Sequence, residues 1–214
     1  MTQVAENKAF AFYFDASRCN GCKGCQVSCL DGRGLSLDRN FRRVYEYGGG
    51  TFTKNADGTM SQDAFAYYAS VSCNHCEKPA CTAACPTGAM HKKANGIVAV
   101  HDDICIGCNS CAEACPYDAP QLDKTRGKMT KCDGCFERLE FGLKPFCVQS
   151  CSQRALDCGT VDELQAKYGG APGVGHIAPL PDAGITQPNL LIRAAKCSRP
   201  TGDTNGSVLN PNEV

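Results

Sequence analysis

Apolar positions in this chain come in short runs and not in long periodic stretches. Phe10 to Asp15 extends the longest apolar run, Ala9 to Phe14, and predicts a strand. Asp63 to Val71 predicts a second, and Gly96 to His101, with Ile97, Val98 and Val100, a third. Each strand leads into a cysteine-rich segment. Helical signals are more local. Pro79 opens a short helix carrying Cys81 and Cys85 at i and i+4, and Cys111/Cys115 and Cys147/Cys151 repeat that spacing. Thr160 to Tyr168 reads as a short amphipathic helix. Thr160 and Glu163 fit a capping box, and Gly169 stands where a C-terminal cap belongs. From Gly170 to Val214 glycine, proline and polar residues dominate. Such a tail is expected to bury little surface within the monomer. It is either disordered or laid across a partner, and its length favours the partner.

Sixteen of the eighteen cysteines fall into four groups of four. Cys19, Cys22, Cys25 and Cys29 have the spacing C-x2-C-x2-C-x3-C, and Cys105, Cys108, Cys111 and Cys115 repeat it. Cys73, Cys76, Cys81 and Cys85 follow C-x2-C-x4-C-x3-C, and Cys132, Cys135, Cys147 and Cys151 follow C-x2-C-x11-C-x3-C. A cubane iron–sulfur cluster needs four thiolates around a cage, three from a tight loop and one from elsewhere. Four groups therefore predict four 4Fe-4S clusters and a path for electrons. A disulfide scaffold is disfavoured, since such scaffolds belong to short secreted chains and Met1 to Ala9 lacks the basic start of a leader. Zinc sites use C-x2-C pairs split by longer spacers. Pro86 and Pro116 directly follow the fourth cysteines of groups two and three, the ending of bacterial ferredoxin runs.

Composition sharpens this picture. Apolar residues make up 43% of the sequence, but that figure counts 18 cysteines among 214 residues, so about 35% is left for ordinary packing. Tryptophan is absent and aromatics are 7%. The core is thin, which predicts that metal binding and folding are one event. Formal charge is zero, from 22 basic and 22 acidic residues. Four oxidised cubanes with their thiolates add roughly −8, so the loaded protein is acidic. Arg18, Lys23, Lys124, Arg126, Lys128 and Lys131 lie near cysteine groups and are candidates for neutralising clusters. Nothing in the charge pattern selects nucleic acid. The longest apolar run is too short to span a bilayer.

The last cysteine of each group lies a helical turn beyond the loop and points away from it, which predicts crossed ligation between paired groups. Local spacing does not set which groups pair. Only nineteen residues separate Cys85 from Cys105, so groups two and three form one ferredoxin-like unit and groups one and four pair around it. The expected fold is α+β: an inner unit over 65–124, an outer unit over 1–64 with 125–170, and an extended partner-binding tail over 171–214.

Longer segments are recognisable. Phe41-Arg42-Arg43-Val44-Tyr45-Glu46-Tyr47, Ser72-Cys73-Asn74-His75-Cys76, Gly88-Ala89-Met90-His91-Lys92, Met129-Thr130-Lys131-Cys132-Asp133-Gly134-Cys135, Arg154-Ala155-Leu156-Asp157 and Ser198-Arg199-Pro200-Thr201-Gly202-Asp203-Thr204 accompany all sixteen cysteines. With them the sequence resembles, over essentially its whole length, the four-cluster electron-transfer subunit family of bacterial respiratory dimethyl sulfoxide reductases. The resemblance implies that Cys19, Cys22, Cys25 and Cys151 hold one cluster and Cys132, Cys135, Cys147 and Cys29 a second. It implies a third on Cys73, Cys76, Cys81 and Cys115, and a fourth on Cys105, Cys108, Cys111 and Cys85. It further implies a non-catalytic relay between a quinol-oxidising membrane anchor subunit and a molybdopterin catalytic subunit, in a heterotrimer. That complex would be peripheral on the cytoplasmic membrane and periplasm-facing by co-export, with a cytoplasmic-facing complex as the alternative. Rival readings are the same module in a polysulfide, thiosulfate or selenate reductase or a formate dehydrogenase, a free polyferredoxin, and a catalytic iron–sulfur enzyme. Sixteen cysteines saturating four cages leave no open iron for the last. Cys158 and Cys197 are expected as plain packing or surface thiols, Ser152 replaces a proline common in the family, and Gly169 to Gly175 looks extended. His75 and His91 are expected around the ligands or at an interface, not as catalysts.

Overall fold

The computed structural model describes residues 9–173 and 175–214; the expectation for the start of the sequence lies, up to Lys8, outside them. Strand β1 (Phe10–Asp15) is the centre of the molecule and all six of its residues are buried. Phe10, Phe12 and Phe14 face the large core shared with the cysteines, while Ala11 and Tyr13 face Leu164 and Leu191 on the other side. Burial on both faces is why the run is continuously apolar and not alternating. Helix α1 (Gly24–Gly32) follows the first cysteine loop, and β2 (Arg42–Gly49) comes next. An exposed hairpin of β3 (Phe52–Lys54) and β4 (Met60–Gln62) leads to β5 (Phe65–Ser72).

The middle of the sequence holds two short helices and two hairpins. Helix α2 (Ala80–Ala83) precedes the pair β6 (Met90–Lys92) and β7 (Val98–Val100); α3 (Ser110–Glu113) precedes β8 (Gln121–Asp123) and β9 (Lys128–Thr130). Helices α2 and α3 pack together, and the smaller core around Met90, Val98 and Met129 includes Cys81, Cys105 and Cys111. Helices α4 (Phe136–Glu140) and α5 (Phe146–Gln149) carry the fourth cysteine group, with α5 packed on α1. Strand β10 (Leu156–Thr160) then pairs antiparallel with β1. Helix α6 (Val161–Tyr168) has the expected capping box between Thr160 and Glu163, and Gly169 is its C-cap. Each of α2 and α5 begins after a proline cap (Pro79, Pro145) and is shorter than the cysteine spacing suggested: Cys85 and Cys151 lie two residues past their ends.

The tail corrects the expectation that it buries little within the monomer. Strand β11 (Leu190–Arg193) pairs parallel with β1, and β12 (Gly206–Val208) pairs with β2, completing sheets ordered β10-β1-β11 and β12-β2-β5. Ile177, Ala178, Leu180, Leu190 and Leu191 are buried. The proline and glycine content suppresses helices but leaves enough apolar residues to fill the far side of β1. Backbone hydrogen bonds from Glu77 to Gln187, Lys78 to Thr186 and Asn189 to Asn74 clamp the tail onto the second cysteine loop.

Candidate metal centres

Every cysteine group starts with a C-x-x-C loop whose residue before the second cysteine is left-handed. Gly21, His75, Gly107 and Gly134 have φ of 70°, 45°, 68° and 71°. This turn points successive thiols into a common space. Glycine suits it because a Cβ is strained there, and at Gly107 a Cβ would also lie 2.4 Å from the Gly127 carbonyl oxygen. His75 takes the same conformation with a fully buried ring. Its Nδ1 accepts the Val98 N–H at 3.1 Å, and it meets Phe10 edge to face at 5.3 Å.

Helix crossings bring the remaining thiols in from other groups. One cavity is lined by Cys19, Cys22, Cys25 and Cys151, a second by Cys73, Cys76, Cys81 and Cys115, and a third by Cys85, Cys105, Cys108 and Cys111. The other four cysteines sense one another: burial, then Cys147, pushes the Cys29 thiol up to about 12, and burial, then Cys29, raises Cys132 well above its ordinary value. Cys25 feels Cys147, and Cys132 feels Cys73, so the first set adjoins this one and this one adjoins the Cys73 set. The sixteen thiols are mostly buried or half-buried; Cys22 and Cys108, at the two ends of this succession, are exposed. Among the described residues no three His, Cys, Asp or Glu side chains converge tightly enough for a single metal ion. Instead four thiols line each of three shared spaces.

The surroundings fit a cage of iron and sulfide. Burial raises Cys19 and Cys111 to about 11 and Cys76 and Cys81 to about 12, so these groups favour a cation that takes the proton's place. Cys108 is lowered by the hydrogen bond with Ser110. Cys85 is lowered too, since the Met90 N–H and Thr87 hydroxyl outweigh its burial. Asn74 Nδ2, the Tyr117 hydroxyl and the Thr186 hydroxyl are buried around the Cys73 cavity without a well-formed protein partner. Unmatched buried donors beside four thiols suit an acceptor-rich group such as sulfide bridged to iron. Backbone N–H groups already reach sulfur elsewhere: Ala155 to Cys151 at 3.2 Å, Met90 to Cys85 at 3.3 Å, and Met129 to Cys105 at 3.4 Å.

Of the basic residues singled out in the sequence, Lys131 is buried between cavities, and its Nζ donates to the Val98 and Cys132 carbonyls. Lys128 braces the third-group loop through the Cys105 carbonyl at 2.6 Å. Lys23, Arg126 and Lys124 are engaged with Glu213, Asp102 and Asp38. Arg42, fully buried at the start of β2, was not legible as a site residue, because a pair of adjacent arginines at a strand end reads as solvent-facing. Cys158 is half-buried on β10 and raised to about 12 by burial, and Cys197 is exposed. The Ser152 hydroxyl stands 4.0 Å from the Cys22 sulfur. His91 stacks on His101 at 3.8 Å, outside the thiol-lined cavities.

A family model described as 4Fe-4S dicluster domain matches residues 64–161. The B subunit of the anaerobic dimethyl sulfoxide reductase of Haemophilus influenzae is 55% identical over 205 residues, covering 96% of this sequence and 98% of that one. The subunit of the same description from Escherichia coli is 53% identical with the same coverage. The protein is a member of that B-subunit family. The iron–sulfur subunit of the nitrate-inducible formate dehydrogenase of Escherichia coli is more distant, 33% identical over 76% of this sequence and 58% of its own length. Like the other B subunits, the protein is a non-catalytic iron–sulfur electron-transfer subunit, with four 4Fe-4S clusters as cofactors. No helix among the described residues is long and apolar enough to cross a membrane.

Proposed function

We propose that the protein relays electrons from a quinol-oxidising membrane anchor subunit to a molybdopterin catalytic subunit that reduces dimethyl sulfoxide or a related S- or N-oxide. The observation that carries this is 55% identity to a dimethyl sulfoxide reductase B subunit along 98% of its length, and twelve thiols lining three cavities, four to each, support it. Cys19, Cys22, Cys25 and Cys151 are the ligands of one cluster, and Cys29, Cys132, Cys135 and Cys147 of a second. Cys73, Cys76, Cys81 and Cys115 hold a third, and Cys85, Cys105, Cys108 and Cys111 a fourth. When bound, each cluster supplies one reversible one-electron step. The protein's own residues hold the thiols in register, exclude water from the middle of the path and set the local charge.

The crossing of α1 with α5 and of α2 with α3 supports two ferredoxin-like units, the inner one within the outer. Exposed Cys22 and Cys108 mark the two ends at which partners approach. The complex is a heterotrimer, peripheral on the cytoplasmic membrane and periplasm-facing. Anaerobic purification of the native complex tests this. About sixteen iron and sixteen sulfide per polypeptide, with a molybdopterin subunit that consumes dimethyl sulfoxide, is the expected result. A large partner that oxidises formate assigns the same module to another enzyme. A colourless or zinc-rich active complex ends the cluster reading.

A further inference from the structure

Arg42 is the largest fully buried side chain among the described residues, at 2% exposure. Its guanidinium donates to the Ser70 carbonyl at 3.3 Å, the Ser70 hydroxyl at 3.2 Å and the Ser72 hydroxyl at 2.8 Å, and it lies 4.8 Å above the Phe12 ring. All of these partners are neutral. Among the described residues no carboxylate pairs with it, although Arg39 and Arg43, its neighbours in sequence, pair with Asp123 and Asp118. A charge buried without a counter-ion is expensive. The groups that would offset it are cysteine sulfurs, once they are ionised as cluster ligands. Burial works against the charge, but Cys147, Cys25, Cys132 and Cys29 outweigh it and raise the pKa of Arg42. Cys25 belongs to the first thiol set and the other three to the second. Ser70 ties the two together, its hydroxyl 3.3 Å from the Cys25 sulfur while it receives Arg42.

We propose that Arg42 is a fixed counter-ion shared by the first two clusters, which raises the reduction potentials of both and weakens the repulsion between them when both are reduced. This role rests on the cluster reading above. A loaded cubane with four thiolates carries about −2, and reduction adds one more negative charge. A permanent cation in a low-dielectric setting favours the reduced form on each side. The Ser72 hydroxyl that receives Arg42 precedes Cys73, so the Cys73 set is the next to feel the charge, while the thiols acting most strongly on Arg42 belong to the first two sets.

Redox titration of the purified holo-complex, followed by electron paramagnetic resonance, tests this with Arg42→Gln and Arg42→Lys. The wild-type protein must first show four titrating clusters; if it does not, the relay reading fails independently of Arg42. In Arg42→Gln two clusters are expected to become harder to reduce, each by about tenfold or more in equilibrium constant (about 59 mV for a one-electron couple), with the Cys73-set cluster shifted less and the Cys85-set cluster least. Arg42→Lys keeps the charge and is expected to restore both potentials. Equal shifts in all four clusters, or none, overturn the proposal. If Arg42→Gln loads iron incompletely, Arg42→Lys is expected to recover the full content. Equal iron loss in both variants means that shape and not charge matters at this position, and overturns it as well.

Discussion

Gly107 shows how much depends on one φ angle. Between Cys105 and Cys108 the backbone turns left-handed against the Gly127 carbonyl, leaving no room for a side chain. Gly107→Ala is expected to destabilise that loop by more than about 1 kcal/mol and to lower iron content from about sixteen toward twelve, measured on anaerobically purified protein. Asp157 supplies a pH dependence. It is buried, and though burial raises its pKa, hydrogen bonds from Lys167 and Tyr168 and the nearby Lys144 hold it below the ordinary carboxylate range. A folded pKa below the unfolded one contributes stability that is present above the unfolded value, about 3.9, and is lost as pH falls through the folded value. Asp157→Asn is therefore expected to destabilise the protein by about 1–2 kcal/mol at neutral pH and by little in strong acid. The temperature of cluster bleaching near neutral pH reads out the loss, since in strong acid the clusters themselves release sulfide. Ligand types were visible in the sequence; His75 in a glycine's place and Arg42 as a buried cation were not. Both depend on what packs against them, Val98 and Phe10 for one and Ser70, Ser72 and Phe12 for the other.

Among elements, β1 and α6 were legible because each carries a complete local signal: an unbroken apolar run for the first, a capping box with a terminal glycine for the second. The tail misled because composition describes solvation, whereas Leu190 and Leu191 found a strand edge supplied by residues about 180 positions earlier. Leu190→Ala is expected to cost about 2–5 kcal/mol, the range for a buried leucine, seen as lower thermal stability of the loaded protein. Ending the polypeptide after Gly170 removes β11 as well as Thr186 and Asn189, which wall and clamp the Cys73 site. Such a truncation is expected to yield less than a full complement of iron. A truncated protein that retains all sixteen iron atoms would restore the view of the tail as an accessory.

At the scale of the whole molecule the thiol-lined spaces are built into the apolar core, with cysteines among the core-forming residues of both main clusters, and reach the surface at Cys22 and Cys108. Removing iron leaves protonated thiols, no cross-links between the cysteine loops and an unbalanced Arg42 where the core should be. Chelation under reducing conditions is expected to abolish most of the far-UV circular dichroism signal; a native-like spectrum from iron-free protein would disprove the dependence.

The residue pattern by itself determined the chemistry. Sixteen cysteines at ferredoxin spacings and a thin core specify a conductor of electrons, because thiolate number and loop length are local properties that the sequence writes out directly. Tertiary structure alone decided which distant residues share a space. The tail's return to β1, the approach of Thr186 to Cys76, and the placing of Arg42 between two thiol sets all depend on contacts between segments far apart in sequence. No local period encodes such contacts; they exist only once helices have crossed and strands have paired.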